Sequence, residues 1–93
     1  MSATIEHDQR GHRFVAAVEG REAYLDYTVK DDHTLDFRRT YVPPALRGGQ
    51  LARQLVAAGF AYAKEHGLRV IPSCSYVQRQ VERSTEYQAL VAE

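Results

Sequence analysis

The sequence predicts an α+β fold with the element order β-β-β-β-α-β-α. Four strand-like segments, at roughly ten-residue spacing, fill the first half of the chain. A Pro43-Pro44 pair ends them, and beyond it apolar residues recur at helical spacing. The expected sheet is mixed, an antiparallel meander plus one parallel pair.

In chain order, Thr4 to Asp8 suits a short edge strand, closed by the turn-like Gln9-Arg10-Gly11-His12. Arg13 to Val18 follows, rich in β-branched, aromatic and small residues, then the turn Glu19-Gly20-Arg21. Ala23 to Val29 is the third strand and Thr34 to Val42 the fourth. In the fourth, strict alternation puts Leu35, Phe37, Arg39 and Tyr41 on one face and Asp36, Arg38, Thr40 and Val42 on the other. Neither proline can donate to a ladder, so the strand ends there. Leu51, Leu55, Ala58 and Tyr62 then form a helical stripe widened by Ala52, Val56, Phe60 and Ala63. Gly67 is placed to take the left-handed conformation after that helix. Leu68 to Ile71 is a short apolar strand, parallel to the fourth if the two are neighbours, through a right-handed crossover. Val77, Val81, Tyr87, Leu90 and Val91 predict one or two closing helices, with Ser84 as a cap.

The bulk numbers fit one domain over residues 1–93, with 44 % apolar and 26 % charged residues. Twelve basic and twelve acidic residues cancel, so no overall field draws nucleic acid or a membrane surface. Arg38, Arg39, Arg47 and Arg53 are the candidates for a local basic spot. A single cysteine allows neither an intrachain disulfide nor a thiolate metal site. No apolar run reaches the roughly 18 residues of a spanning helix, and the polar start of the chain does not read as a leader. A cytoplasmic location is the expectation. The four histidines lack metal-ligand spacing, Asp26 suits a partly buried hydrogen-bonded role, and no nucleophile elbow is present.

Leu46-Arg47-Gly48-Gly49-Gln50-Leu51-Ala52 joins a strand to the long helix. The first amides of a helix have no partner within it, and the helix dipole favours an anion there. Glycines let a phosphate approach the backbone, and Arg47 adds a cation that can fork onto its oxygens. The plainer alternative is a flexible turn and nothing more.

This stretch resembles the acetyl-CoA signature of the Gcn5-related N-acetyltransferase superfamily: Arg or Gln, two variable residues, Gly, one variable residue, then Gly or Ala. Arg47 matches its first position and Ala52 its last, while Gln50 stands where the middle glycine belongs and Gly49 comes one place early. Ile71-Pro72-Ser73-Cys74-Ser75-Tyr76-Val77 resembles a run found in a compact subfamily of these proteins. The similarity covers roughly Gly20 to Tyr87. It implies acetyl-CoA (or CoA) bound by Arg47, Gly48, Gly49, Gln50, Leu51 and Ala52. The pantetheine arm would lie along the main chain of Thr40, Tyr41 and Val42, where the fourth and fifth strands splay apart.

The resemblance puts Cys74 near the thioester, where a thiolate can take up the acetyl group; the alternative is an inert thiol lining the pocket while the amine attacks directly. Tyr76 is the candidate to protonate the departing thiolate, or is plain core. Arg39 stands where subfamily members often carry His. It cannot be a general base, because a guanidinium keeps its proton at neutral pH. It can stabilise the Cys74 thiolate, bind an acidic substrate or a CoA phosphate, or simply cover the sheet with its stem. The expected activity is acetyl transfer from acetyl-CoA to an amine, of a protein, peptide or small molecule, by a monomer or weak dimer. The alternative is a module that holds CoA or acyl-CoA with little turnover.

Overall fold

A computed structural model describes residues 4–92; Met1 to Ala3 and Glu93, which belong to the segment expected to form one domain, lie outside the described residues. The strands are β1 (Ile5–Asp8), β2 (Arg13–Val18), β3 (Arg21–Asp31), β4 (Thr34–Tyr41) and β5 (Arg69–Pro72). The helices are α1 (Leu51–Glu65), α2 (Ser75–Glu82) and α3 (Thr85–Gln88). The sheet order is β1-β2-β3-β4-β5, antiparallel up to β4 and parallel between β4 and β5. The α+β class, the element order and the mixed sheet are those the sequence predicts.

Local chemistry accounts for the connections. Glu19 and Gly20 both have positive φ, 51° and 79°, and join the paired Val18 and Arg21. Two such residues make the tight turn whose twist matches a hairpin. The pairing explains why β3 runs from Arg21 to Asp31, longer than its apolar centre: the ladder extends into charged residues because it uses only main chain. α1 ends with Gly67 at φ 67°, and the Leu68 amide returns to the Ala63 carbonyl at 2.8 Å. The Ser84 hydroxyl accepts the Tyr87 amide and caps α3, and the Gln88 side chain donates to the last carbonyls of α2. The outer edge of β5 is covered: Val70 exchanges main-chain bonds with Leu90 and Ala92.

All three helices pack on one sheet face. Phe14, Leu25, Phe37, Leu55, Val56, Phe60, Val70 and Val77 bury there, and Phe60 stacks on Tyr87 at 4.2 Å. Gly59 lets α1 approach β3 and β4 so closely that any side chain at that position would meet the Phe37 ring. The other face carries Arg13, Tyr24, Asp26, Arg39 and Tyr41, and no helix among the described residues covers it. No described helix is long and apolar enough to cross a membrane.

One expectation about β4 is corrected. Asp26 pairs with Arg39 but Tyr27 pairs with Phe37, so Arg38 is an extra residue and the strand bulges. Leu35 and Phe37 face the helices, whereas Arg39 and Tyr41 face the other way. Thr40, opposite Leu25, takes over the helix-side face. A single inserted residue flips every side chain that follows it.

Candidate functional site

The last β4–β5 pair is Phe37 with Pro72, and β4 continues beyond it to Tyr41. From Arg38 onward, its edge toward β5 has no strand partner among the described residues. The chain leaving β5 turns away, held by a bond from the Cys74 amide to the Phe37 carbonyl at 2.9 Å. The two strands therefore open like a V directly after the bulge.

A cleft of about 340 Å³ fills this V. Thr40, Tyr41 and Val42 form one wall, Leu46 to Gly49 the rim, Leu51 and Ala52 the start of α1, and Tyr76 the far side. Of the residues expected at the coenzyme, only Gln50 is missing from the lining; it is the exposed N-cap residue of α1. Leu46 lines the cleft as well and was not anticipated. Its apolar side chain follows Pro43-Pro44-Ala45 in a 3-10 turn over Pro44–Leu46, which is what aims it inward.

The rim has the chemistry of an anion cradle. Gln50 gives α1 no side-chain cap. Among the described residues the amides of Gly48, Gly49, Gln50, Leu51, Ala52 and Arg53 find no protein acceptor. Gly48 takes φ 90°, a conformation glycine adopts without strain, and a Cβ on it would meet nothing within 4 Å. No acidic residue occupies the first turn of α1. Arg47 spends its Nε on the Val42 carbonyl at 2.8 Å, which ties the rim to the end of β4. The rest of its guanidinium is exposed. Uncapped amides, a backbone approachable at the glycines and a cation together fit a pyrophosphate.

Cys74 is half-buried at the N-cap of α2, behind the unpaired stretch of β4. Its Sγ lies 3.5 Å from the Thr40 hydroxyl oxygen. Burial pushes this thiol up. The Thr40 hydroxyl and the amides of Val77, Tyr76 and Thr40 act in the opposite direction and prevail, so its pKa falls below the ordinary value. The sulfur makes no capping hydrogen bond of good geometry in the thiol form. The α2 amides therefore act mainly on the thiolate, as dipoles already aimed at it. Thr40 was expected to contribute only main chain, and its side chain is what sequence reasoning missed. The bulge that delivers it to Cys74 has no marker residue in β4.

Arg39 does not approach this sulfur. The bulge turns it to the bare sheet face, where its guanidinium carbon lies 5.5 Å from the Tyr41 ring centre and 6.0 Å from that of Tyr24. A thiolate-stabilising role for Arg39 is thereby corrected, and Thr40 with the α2 amides holds that position instead.

The sequence profile of the GCN5-related N-acetyl-transferases matches residues 13–90. The chain belongs to the GCN5-related N-acetyltransferase family. Members of this family generally bind acetyl-CoA. Protein NATD1 of Danio rerio is 31 % identical over 88 residues, covering 92 % of this chain and 80 % of that protein. Protein NATD1 of Homo sapiens is 30 % identical over 82 residues, 86 % of this chain and 73 % of that protein. Among solved structures, a GCN5-like protein from Staphylococcus aureus superposes with a TM-score of 0.76 at 25 % identity, over 99 % of this chain and 91 % of that one. This GCN5-related chain thus shares most of its length with all three, and its fold with the Staphylococcus aureus protein.

Proposed function

We propose that the protein transfers an acetyl group from acetyl-CoA to an amine, with the coenzyme bound in the V between β4 and β5. The observation that carries this reading is the coincidence, in one cleft, of an unpaired strand edge and uncapped helix amides, with the Cys74 sulfur just behind its Thr40 wall. Acetyl-CoA supplies a thioester carbonyl already activated toward nucleophiles. The amides of Gly48 to Ala52 and the outer nitrogens of Arg47 hold its phosphates. The main chain of Thr40 to Val42 pairs with the amide groups of its arm. Tyr76 lines the far wall, and in this reading it hands its hydroxyl proton to the departing thiolate. The Thr40 hydroxyl lies 3.5 Å from the Cys74 sulfur, behind that wall of the cleft.

A second reading has its own support. Among the described residues no His, Asp or Glu lines the cleft, so no imidazole or carboxylate there takes the proton of an incoming ammonium. On that ground the protein is a CoA-holding module with little turnover.

Calorimetric titration with acetyl-CoA tests both readings. We expect micromolar affinity, weakened about tenfold in Gly48→Ala, whose Cβ would force a left-handed alanine. Acetylation of any member of an amine panel then favours transfer, and binding without turnover favours the module. Mass analysis of wild type and Cys74→Ala shows whether Cys74 carries the group. No binding at millimolar acetyl-CoA would sink both readings.

A further inference from the structure

The bare face of the sheet holds a second hollow, which the coenzyme reading does not use. It measures about 540 Å³ and lies between the β1–β2 turn, the middle of β3 and the bulge of β4. His12, Arg13, Asp26, Thr28, Arg38 and Arg39 face it. Three guanidinium groups thus share it with one carboxylate.

The three arginines differ in how they are occupied. Arg13 Nε lies 3.1 Å from the Asp26 carboxylate, and its guanidinium lies 4.2 Å above the Tyr24 ring. Arg38 reaches Asp36 only at 3.7 Å and is largely exposed. Arg39 makes no ion pair among the described residues, although Asp26 is its register partner. It rests instead over the Tyr24 and Tyr41 rings. A ring face steadies a guanidinium without using its N–H edge, which stays free for an incoming anion.

Position links this hollow to the V. Arg38 is the bulge, the residue at which β4 parts from β5. Arg39 precedes Thr40, whose hydroxyl touches the Cys74 sulfur from the other side of the sheet. Adjacent Cα atoms are about 3.8 Å apart, so the Arg39 backbone lies within one residue of the point where the strands part.

We propose that this hollow is the acceptor subsite, and that it selects an amine carrying a carboxylate close by, such as the N-terminus of an acidic peptide. The inference rests on the transfer reading above and names its substrate class. The acceptor's carboxylate docks on the free N–H edge of Arg39, with Arg38 beside it, and its amine reaches the thioester through the opening at the bulge. Asp26 in the same hollow repels a dianion more than a monoanion, which favours a carboxylate over a phosphate.

The test uses two synthetic C-terminal amides, Ala-Glu-Glu-Ala and its carboxylate-free counterpart Ala-Gln-Gln-Ala, titrated into the isotope-labelled full chain and followed by NMR. We expect the Glu peptide to bind at least about fivefold more tightly than the Gln peptide, as one partly screened ion pair allows. Its shifts should centre on Thr28, Arg38 and Arg39. Arg39→Gln should abolish the preference and Arg39→Lys should restore part of it, with acetyl-CoA affinity unchanged in both. Both variants alter an exposed side chain, so folding is not at risk. Equal affinity for the two peptides overturns the proposal, as does a preference that survives in Arg39→Gln or shifts centred on the Arg47–Ala52 rim. Failure to bind acetyl-CoA with the acidic preference intact overturns the transfer reading alone.

Discussion

Gly59 offers the most demanding test of how the core positions the site. It lies in mid-helix, where alanine is favoured over glycine by roughly 1 kcal/mol. A Cβ there would lie 2.8 and 2.9 Å from the Cε2 and Cζ of Phe37 and 3.0 Å from Leu25 Cδ2. Phe37 and Leu25 are both 0 % exposed and cannot retreat into solvent. Overpacking a full core costs about 1–3 kcal/mol, and two rigid ring carbons inside van der Waals contact put this case in the upper half of that range. Gly59→Ala should therefore lose about 1–2 kcal/mol net, a fall in Tm of roughly 5–15 °C for a chain of this size. The strain falls on the residue that ends the β4–β5 pairing and accepts the Cys74 amide bond, so acetyl-CoA binding should weaken too. Urea unfolding of wild type, Gly59→Ala, Phe37→Leu and the double variant supplies the measurement. Leucine lacks the clashing ring carbons, so the double variant should be more stable than the sum of the single losses by about 1 kcal/mol. Gly59→Ala as stable as wild type, or simple additivity in the cycle, would refute the close-packing argument.

Alkylation of Cys74 by iodoacetamide should have its pH midpoint below that of a free cysteine, and Thr40→Val should raise it by removing the hydroxyl that favours the thiolate. An unmoved midpoint in Thr40→Val would leave the amides of Val77, Tyr76 and Thr40 as the cause. Acid should destabilise the fold through His7. Its ring bonds the Tyr27 hydroxyl at 2.6 Å and stacks on Phe14 at 4.2 Å. Burial lowers its pKa, with His66 and His12 adding to the effect and Asp8 opposing it. The unfolded chain then binds the proton more readily than the folded one. This contribution is flat above the unfolded value of about 6.5, and stability falls as the pH drops below it. Urea midpoints across that range should decline less steeply in His7→Gln, and identical slopes would assign the acid sensitivity to other groups.

Much of the architecture was legible because it is written in local patterns. The strands of the meander, the long helix from Leu51, Gly67 behind it and the Ser84 cap all rest on periodicity, prolines and turn chemistry within a few residues. The Arg47–Ala52 turn was legible as an anion cradle for the same reason, since uncapped amides and glycines are local properties. The bulge in β4 was not. Thr34 to Tyr41 alternates without a break, and no glycine marks Arg38, so the sequence suggests one continuous face. The extra residue is decided by pairing with β3, where Tyr27 must meet Phe37 to fill the core under α1 while Tyr24 meets Tyr41 beyond it.

By itself, then, the sequence determined the order of elements, the family resemblance and the residues that rim the cleft. Only the tertiary structure decided which side of the sheet Arg39 and Thr40 serve. The face of a strand residue depends on its register with a partner distant in the chain, and one inserted residue reverses it. That reversal puts a hydroxyl beside the Cys74 sulfur and turns the arginine toward the open face, while Leu25 and Phe37 pack against Gly59 in the core.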